Sequence, residues 1–161
     1  MKSADEWAAS ILEKLDAAWH EFQASYMGLS ETELMEPGVT GNWSVRDLIA
    51  HITWWDDEAI KHLPIVRGGG RPARYSDTYG GIDTFNALMT ERKKSLTLDE
   101  VRGEFESTHQ RLVDYLRTIP PEEFKANTRF RRRLKLDTYG HYPIHTQDIL
   151  IWRATHVSDQ D

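Results

Sequence analysis

Cysteine is absent from the 161 residues. That omission excludes disulfides, thiolate metal ligands and a cysteine nucleophile, so a metal site must draw on His, Asp or Glu, and an attacking thiol must come from outside the chain. Long apolar runs are missing too. Nothing approaches the ~20 consecutive apolar residues that span a bilayer, and the opening MKSADEWAAS has no basic segment followed by an apolar one. A cytoplasmic location without a membrane partner is therefore expected. Positive charge is in deficit: 20 Lys+Arg against 26 Asp+Glu leave a net charge of -6, which repels polyanions and argues against nucleic acid as a partner. The chain also lacks G-x-S-x-G, a P-loop and a dinucleotide fingerprint. Its RGGGRP has neither the Lys-Ser/Thr ending nor the preceding strand of a phosphate loop, and reads as flexible. No segment alternates as a strand would, and no fixed-period repeat appears.

What is present has helical spacing. A hydrophobic share of 39% beside 29% charged residues suits a globular chain, and six Trp, six Tyr and five Phe supply bulk for a core, so residues 1–161 are expected to form one domain. Ser3 with Glu6 fits a capping box, and Trp7, Ile11, Leu15, Ala18, Phe22 and Tyr26 then define a first helix ending near Gly28. Ser30 with Glu33 signals a further helical turn before the breakers Pro37, Gly38 and Gly41. Ser44 and Asp47 start a second helix running to about Leu63, with Leu48, Ile52, Trp55 and Ala59 on its buried stripe and His51 beside them. The stretch PIVRGGGRPARYSDTYGG has no period and is expected to be one long mobile loop.

Ile82, Phe85, Leu88 and Met89 open a composite third helix, renewed by a capping box at Thr97 and Glu100, continued by Val101, Phe105, Leu112 and Leu116, and stopped at Pro120 and Pro121. After the polar stretch RFRRRLK, a fourth helix carries Tyr139, His141, His145, Ile149 and Trp152. Four main helices with long excursions between them predict an all-α four-helix bundle with crossover connections.

Seven histidines are present. A lone inward histidine is ordinarily a hydrogen-bonded core residue, and His51 by itself decides nothing. His141 and His145 differ, because i and i+4 share a helix face with Cβ atoms ~5–6 Å apart, from which two imidazoles chelate one ion. Bundle interiors build metal sites from side chains on facing helices. His51, His141 and His145 are accordingly the expected divalent-metal ligands, whereas His20, His62, His109 and His156 read as structural or solvent-facing, with His109 able to line a pocket. Pro143, between the paired histidines, is harmless if Gly140 lies near the helix start and would kink the pair apart otherwise. The run Asp56, Asp57 and Glu58 reads as a solvated face. RFRRRLK reads the same way, with Arg131 or Arg133 as the residues to capture an anionic substrate or a thiol cofactor.

GNWSVRDLIAHITWWDDE resembles the second-helix signature of the DinB/YfiT-like four-helix-bundle superfamily, in which W-S-x-x-D precedes a histidine; Trp43, Ser44, Asp47 and His51 match in order. TYGHYPIHTQDILIW is similar to that superfamily's fourth-helix H-x-x-x-H, which falls on His141 and His145. IDTFNALMTERK and the pair Thr108 and His109 look like the ClbS/DfsB branch. The resemblance implies a divalent metal (nickel, zinc, iron or manganese) on the three histidines. It also implies a small-molecule enzyme, a hydrolase or thiol transferase that removes a reactive electrophile in stress or detoxification, with a low-molecular-weight thiol as a candidate partner and a homodimer as a candidate assembly. The ClbS-type branch carries a different implication, a metal-free protective hydrolase or binding protein. A bundle whose histidines merely pack is the third reading.

Overall fold

The computed structural model describes residues 1–157. Its helices run in order α1 Ala4–Tyr26, α2 Glu31–Leu34, α3 Val45–Arg67, α4 Tyr75–Thr78, α5 Ile82–Lys93, α6 Leu98–Arg117, α7 Arg129–Asp137 and α8 Tyr142–His156, with a 3-10 turn at Pro121–Phe124. The helix starts are written in the sequence. Ser3, Ser30, Ser44 and Thr97 each accept a hydrogen bond from the backbone N–H three residues on, and the carboxylates of Glu6, Glu33, Asp47 and Glu100 accept one from the cap's own backbone N–H. Each box satisfies two N–H groups that the helix leaves without partners.

Four long helices, α1, α3, α6 and α8, form the bundle. Its two crossovers run through α4 and α5, and through the 3-10 turn and α7. Helix α3 is the hub: it packs chiefly on α6 and α7 and also meets α2, α5 and α8, while the main partner of α1 is α8. The expected stripe of Leu48, Ile52, Trp55 and Ala59 is buried, as are Ile149 and Trp152 on α8. The second and fourth predicted helices do meet, but the most extensive contacts of α8 are with α1.

Several boundaries differ from the sequence reading. Helix α3 continues through Pro64 to Arg67, and the N–H groups of Gly68 and Gly70 close its end on the carbonyls of Pro64 and Ile65. The composite third helix is two helices. The Arg46 guanidinium, buried on α3, takes the carbonyls of Lys93 at 2.5 Å and Leu96 at 2.7 Å, ending α5 before Thr97 caps α6. RFRRRLK is itself helix α7, capped by Thr128. The expected long mobile loop is half structured: α4 docks through Tyr75, whose ring lies 5.3 Å from that of Trp55 and 5.0 Å from that of Phe85.

A candidate metal centre

The site begins with a tight turn. Val39 and Thr40 pair with Trp43 through their backbones, a turn that needs the positive φ of +56° at Gly41. It delivers Ser44 to cap α3 and sets Trp43 against His51, the two rings tilted by 42° with centroids 4.7 Å apart. Trp54 packs edge-on to His51 at 5.0 Å. Asn86 of α5 fixes this wall, its Oδ1 accepting from the indole N–H of both Trp54 and Trp55 at 3.2 and 3.1 Å.

Helix α8 supplies the other two rings. His141 is its N-cap and Pro143 lies in its first turn, where a missing N–H leaves no hydrogen bond unmade. The chain enters through Gly140, whose N–H donates to the Lys135 carbonyl at 2.8 Å and where an added Cβ would come within 2.7 Å of that oxygen. His51 and His145 then place Nε2 atoms 3.0 Å from Nε2 of His141. All three histidines offer ligand nitrogens within 4.8 Å of one another.

A ring nitrogen carries either one hydrogen or one lone pair, so His141 Nε2 satisfies at most one of its two neighbours through an ordinary hydrogen bond. A cation accepting three lone pairs satisfies all of them. Metal–nitrogen bonds of ~2.0–2.1 Å correspond to nitrogen separations of roughly 3.0–3.4 Å, so the donor set fits a divalent ion such as zinc. Burial, reinforced by the neighbouring imidazoles, pushes His51 down to about 2 and His141 down to about 4; burial lowers His145 as well. All three are therefore neutral near pH 7, the form that coordinates.

Support behind the rings is uneven. Asp148 faces His145 Nδ1 at 3.4 Å and is itself held by the Thr40 hydroxyl at 2.9 Å. Nδ1 of His51 has no hydrogen-bond partner within the protein, and the Asp137 carbonyl lies near His141 without completing a bond. The sequence reading named no such partner, although Asp148 stands three residues after His145, within reach on one helix face.

Two further polar clusters overturn the solvated-face readings. Asp56 is fully buried, accepts from the Tyr142 hydroxyl and faces His109 Nδ1 at 3.5 Å, while His109 stacks on Trp19 at 4.0 Å. This cluster joins all four bundle helices. Glu58 is buried with His62, and only Asp57 of the acidic run is exposed. Arg133 donates to Asp137 at 2.8 Å and approaches His62 Nδ1 at 2.7 Å, beside Tyr75. Arg131 turns away from the histidines, its guanidinium 4.6 Å from the Trp7 ring. His20 and His156 are exposed.

Residues 14–157 match the sequence profile of the DinB superfamily. The chain belongs to the DinB superfamily. The solved structure of DfsB, a sibling lethal factor precursor, superimposes with a TM-score of 0.76 at 13% identity, covering 94% of this chain and 98% of that one. At that identity the likeness is one of fold, and it shows this DinB-superfamily chain to share the architecture of DfsB. No curated protein sequence matches the chain. The fold and family expected from Trp43, Ser44, Asp47 and the spaced histidines are those found.

Proposed function

We propose that the protein is a metal-dependent enzyme acting on a small electrophile, a hydrolase or thiol transferase, with a divalent ion held by His51, His141 and His145. The carrying observation is the convergence of three ring nitrogens, two on buried histidines and one on the half-buried His141, whose Nε2 lies 3.0 Å from Nε2 of each of the others. A cation held there supplies Lewis acidity, which acidifies water and polarises a substrate oxygen. The chain's own residues do the rest. Trp43, Trp54 and Trp55 exclude water from one side of His51, and Asp148 orients His145. With no cysteine available, water or an external thiol is the nucleophile.

Among the described residues no helix is long and apolar enough to cross a membrane. A cytoplasmic protein acting on a small molecule, with a low-molecular-weight thiol as co-substrate and a homodimeric assembly, is the setting we propose; nickel, zinc, iron and manganese remain candidates for the ion.

Elemental analysis of the tag-free protein tests the reading. Near-stoichiometric metal is expected, and its loss in both His51→Ala and His145→Ala with helicity retained. Proton competition for free imidazole would begin below pH ~6.5. Burial moves it lower here, so affinity for the metal should stay level down to pH 5 and begin to fall as the pH approaches about 4, the value to which His141 is pushed. Metal that survives loss of His141 would sink the proposal. The fold likeness to DfsB favours a second reading, a metal-free protective hydrolase or binding protein. Full activity in chelator-treated protein is its signature.

A further inference from the structure

Two cavities beside His141 have a chemistry of their own. The inner one, about 290 Å³, is walled by Trp55, Tyr75, Ile82 and Leu136, with Arg133 and His141 completing the lining. The outer one, about 510 Å³, is lined by Leu136, Ile144, Gly140 and His141 together with Arg132 and Lys135. Leu136 and His141 belong to both linings, and neither contains an acidic residue. Small-molecule sites of ~300–1,000 Å³ have this character, mostly apolar with a few polar groups that fix orientation.

The apolar residues at the mouth are exposed to an unusual degree: Leu136 by 69%, Ile144 by 58% and Ile82 by 52%. A contiguous apolar opening of this kind marks a binding surface. The two cations of the outer cavity, Arg132 and Lys135, are not committed to carboxylates. Among the described residues Arg133 is matched by Asp137, whereas Arg132 donates to the Asn127 carbonyl and neither Arg132 nor Lys135 forms an ion pair. A basic rim around an apolar chamber, in a chain of net charge -6, is a local reversal of sign.

We infer that this chamber binds an amphiphilic anion, a compact aromatic or short acyl body in the inner cavity with its carboxylate, sulfonate or phosphate at Arg132 and Lys135. The inference deepens the proposed function, since His141 on the shared wall places the ligand beside the imidazole cluster, but binding itself needs no metal. Apolar burial holds the body, and the two cations select the anion from its uncharged counterpart.

The test uses two fluorescent probes, anilinonaphthalene sulfonate and the uncharged phenylnaphthylamine, titrated into the full chain after metal stripping and again with zinc added. The sulfonate is expected to occupy one site per chain, about tenfold tighter than the uncharged probe at low salt, with the gap closing as salt screens the rim. Arg132→Glu together with Lys135→Glu should lower sulfonate affinity about tenfold and leave the uncharged probe bound, whereas Leu136→Asp should weaken both. These positions are exposed, and circular dichroism verifies that each variant is folded. Equal affinity for the two probes, or sulfonate binding indifferent to the paired charge reversal, overturns the inference. So does sedimentation showing that the probes bind only when a dimer separates, which would make the mouth a contact between copies. Selective sulfonate binding by protein that retains no zinc upholds the chamber and removes the metal reading; zinc held by three histidines with no probe bound does the reverse.

Discussion

Tyr142 and Gly140 flank His141, and each fixes it in a different way. Tyr142 is fully buried and gives its hydroxyl hydrogen to Asp56, itself fully buried, so the first residue of α8 is tied to the middle of α3. Burial pushes both the Asp56 carboxyl and the Tyr142 phenol upward. Tyr142→Phe removes the donor and leaves the carboxylate with His109 alone, which should cost about 1.5–3 kcal/mol in urea unfolding, the range for a hydrogen bond to a charged group. A variant as stable as the parent would show that Asp56 is not held by this bond. Gly140→Ala acts by collision, because the new Cβ meets the Lys135 carbonyl at 2.7 Å and the backbone must shift. Overpacking of this sort costs ~1–3 kcal/mol, and the shift displaces His141. Calorimetry is expected to show weaker zinc binding in Gly140→Ala than in the parent, and unchanged affinity would separate the turn from the site.

At the scale of elements, α3 explains most of what the sequence pattern misjudged. A helix with one apolar stripe is expected to turn its other faces to water. As the hub of the bundle α3 has little solvated face, and Arg46, His51, Asp56, Glu58 and His62 are all buried on it. Each polar group there needs a partner from a different helix, which is how α3 joins the histidine cluster, the Asp56 cluster and the Arg133 cluster. Its start matters accordingly. Ser44→Ala removes the side-chain acceptor for the Asp47 N–H, 3.1 Å away, and should lower stability by about 1 kcal/mol. Ser44→Asp, which keeps an acceptor at the cap, should restore most of that loss in chemical denaturation. Equal loss in both variants would mean that packing of the buried serine, rather than capping, is at stake.

Across the whole molecule, the clusters couple folding to pH with opposing signs. Burial pushes His62 down to about 4, so between that value and the ~6.5 of an unfolded histidine the unfolded chain binds more protons. The His62 contribution is therefore complete above pH ~6.5 and lost as pH falls through about 4. Asp137, pushed up to about 6 by burial, contributes in the opposite sense, with stability present below the unfolded value of ~3.9 and lost as pH rises through about 6. A comparison with a variant isolates one contribution from the other. His62→Gln should gain stability relative to the parent as pH falls from 7 to 4.5, read as the difference between two melting curves in metal-free protein; parallel curves would contradict the burial of a neutral His62. The sequence by itself determined the starts of α1, α2, α3 and α6, because a capping box is a local pattern of two side chains and two N–H groups. It determined the inward stripes by their period, and the His141 and His145 pair by the geometry of one helical turn. Which helix lies at the centre was decided only in three dimensions, and with it the burial of Asp56, the partnering of Arg133 with Asp137 and His62, and the docking of Tyr75 on Trp55. Those contacts join residues far apart in the chain, and no local pattern encodes a partner that arrives from another helix.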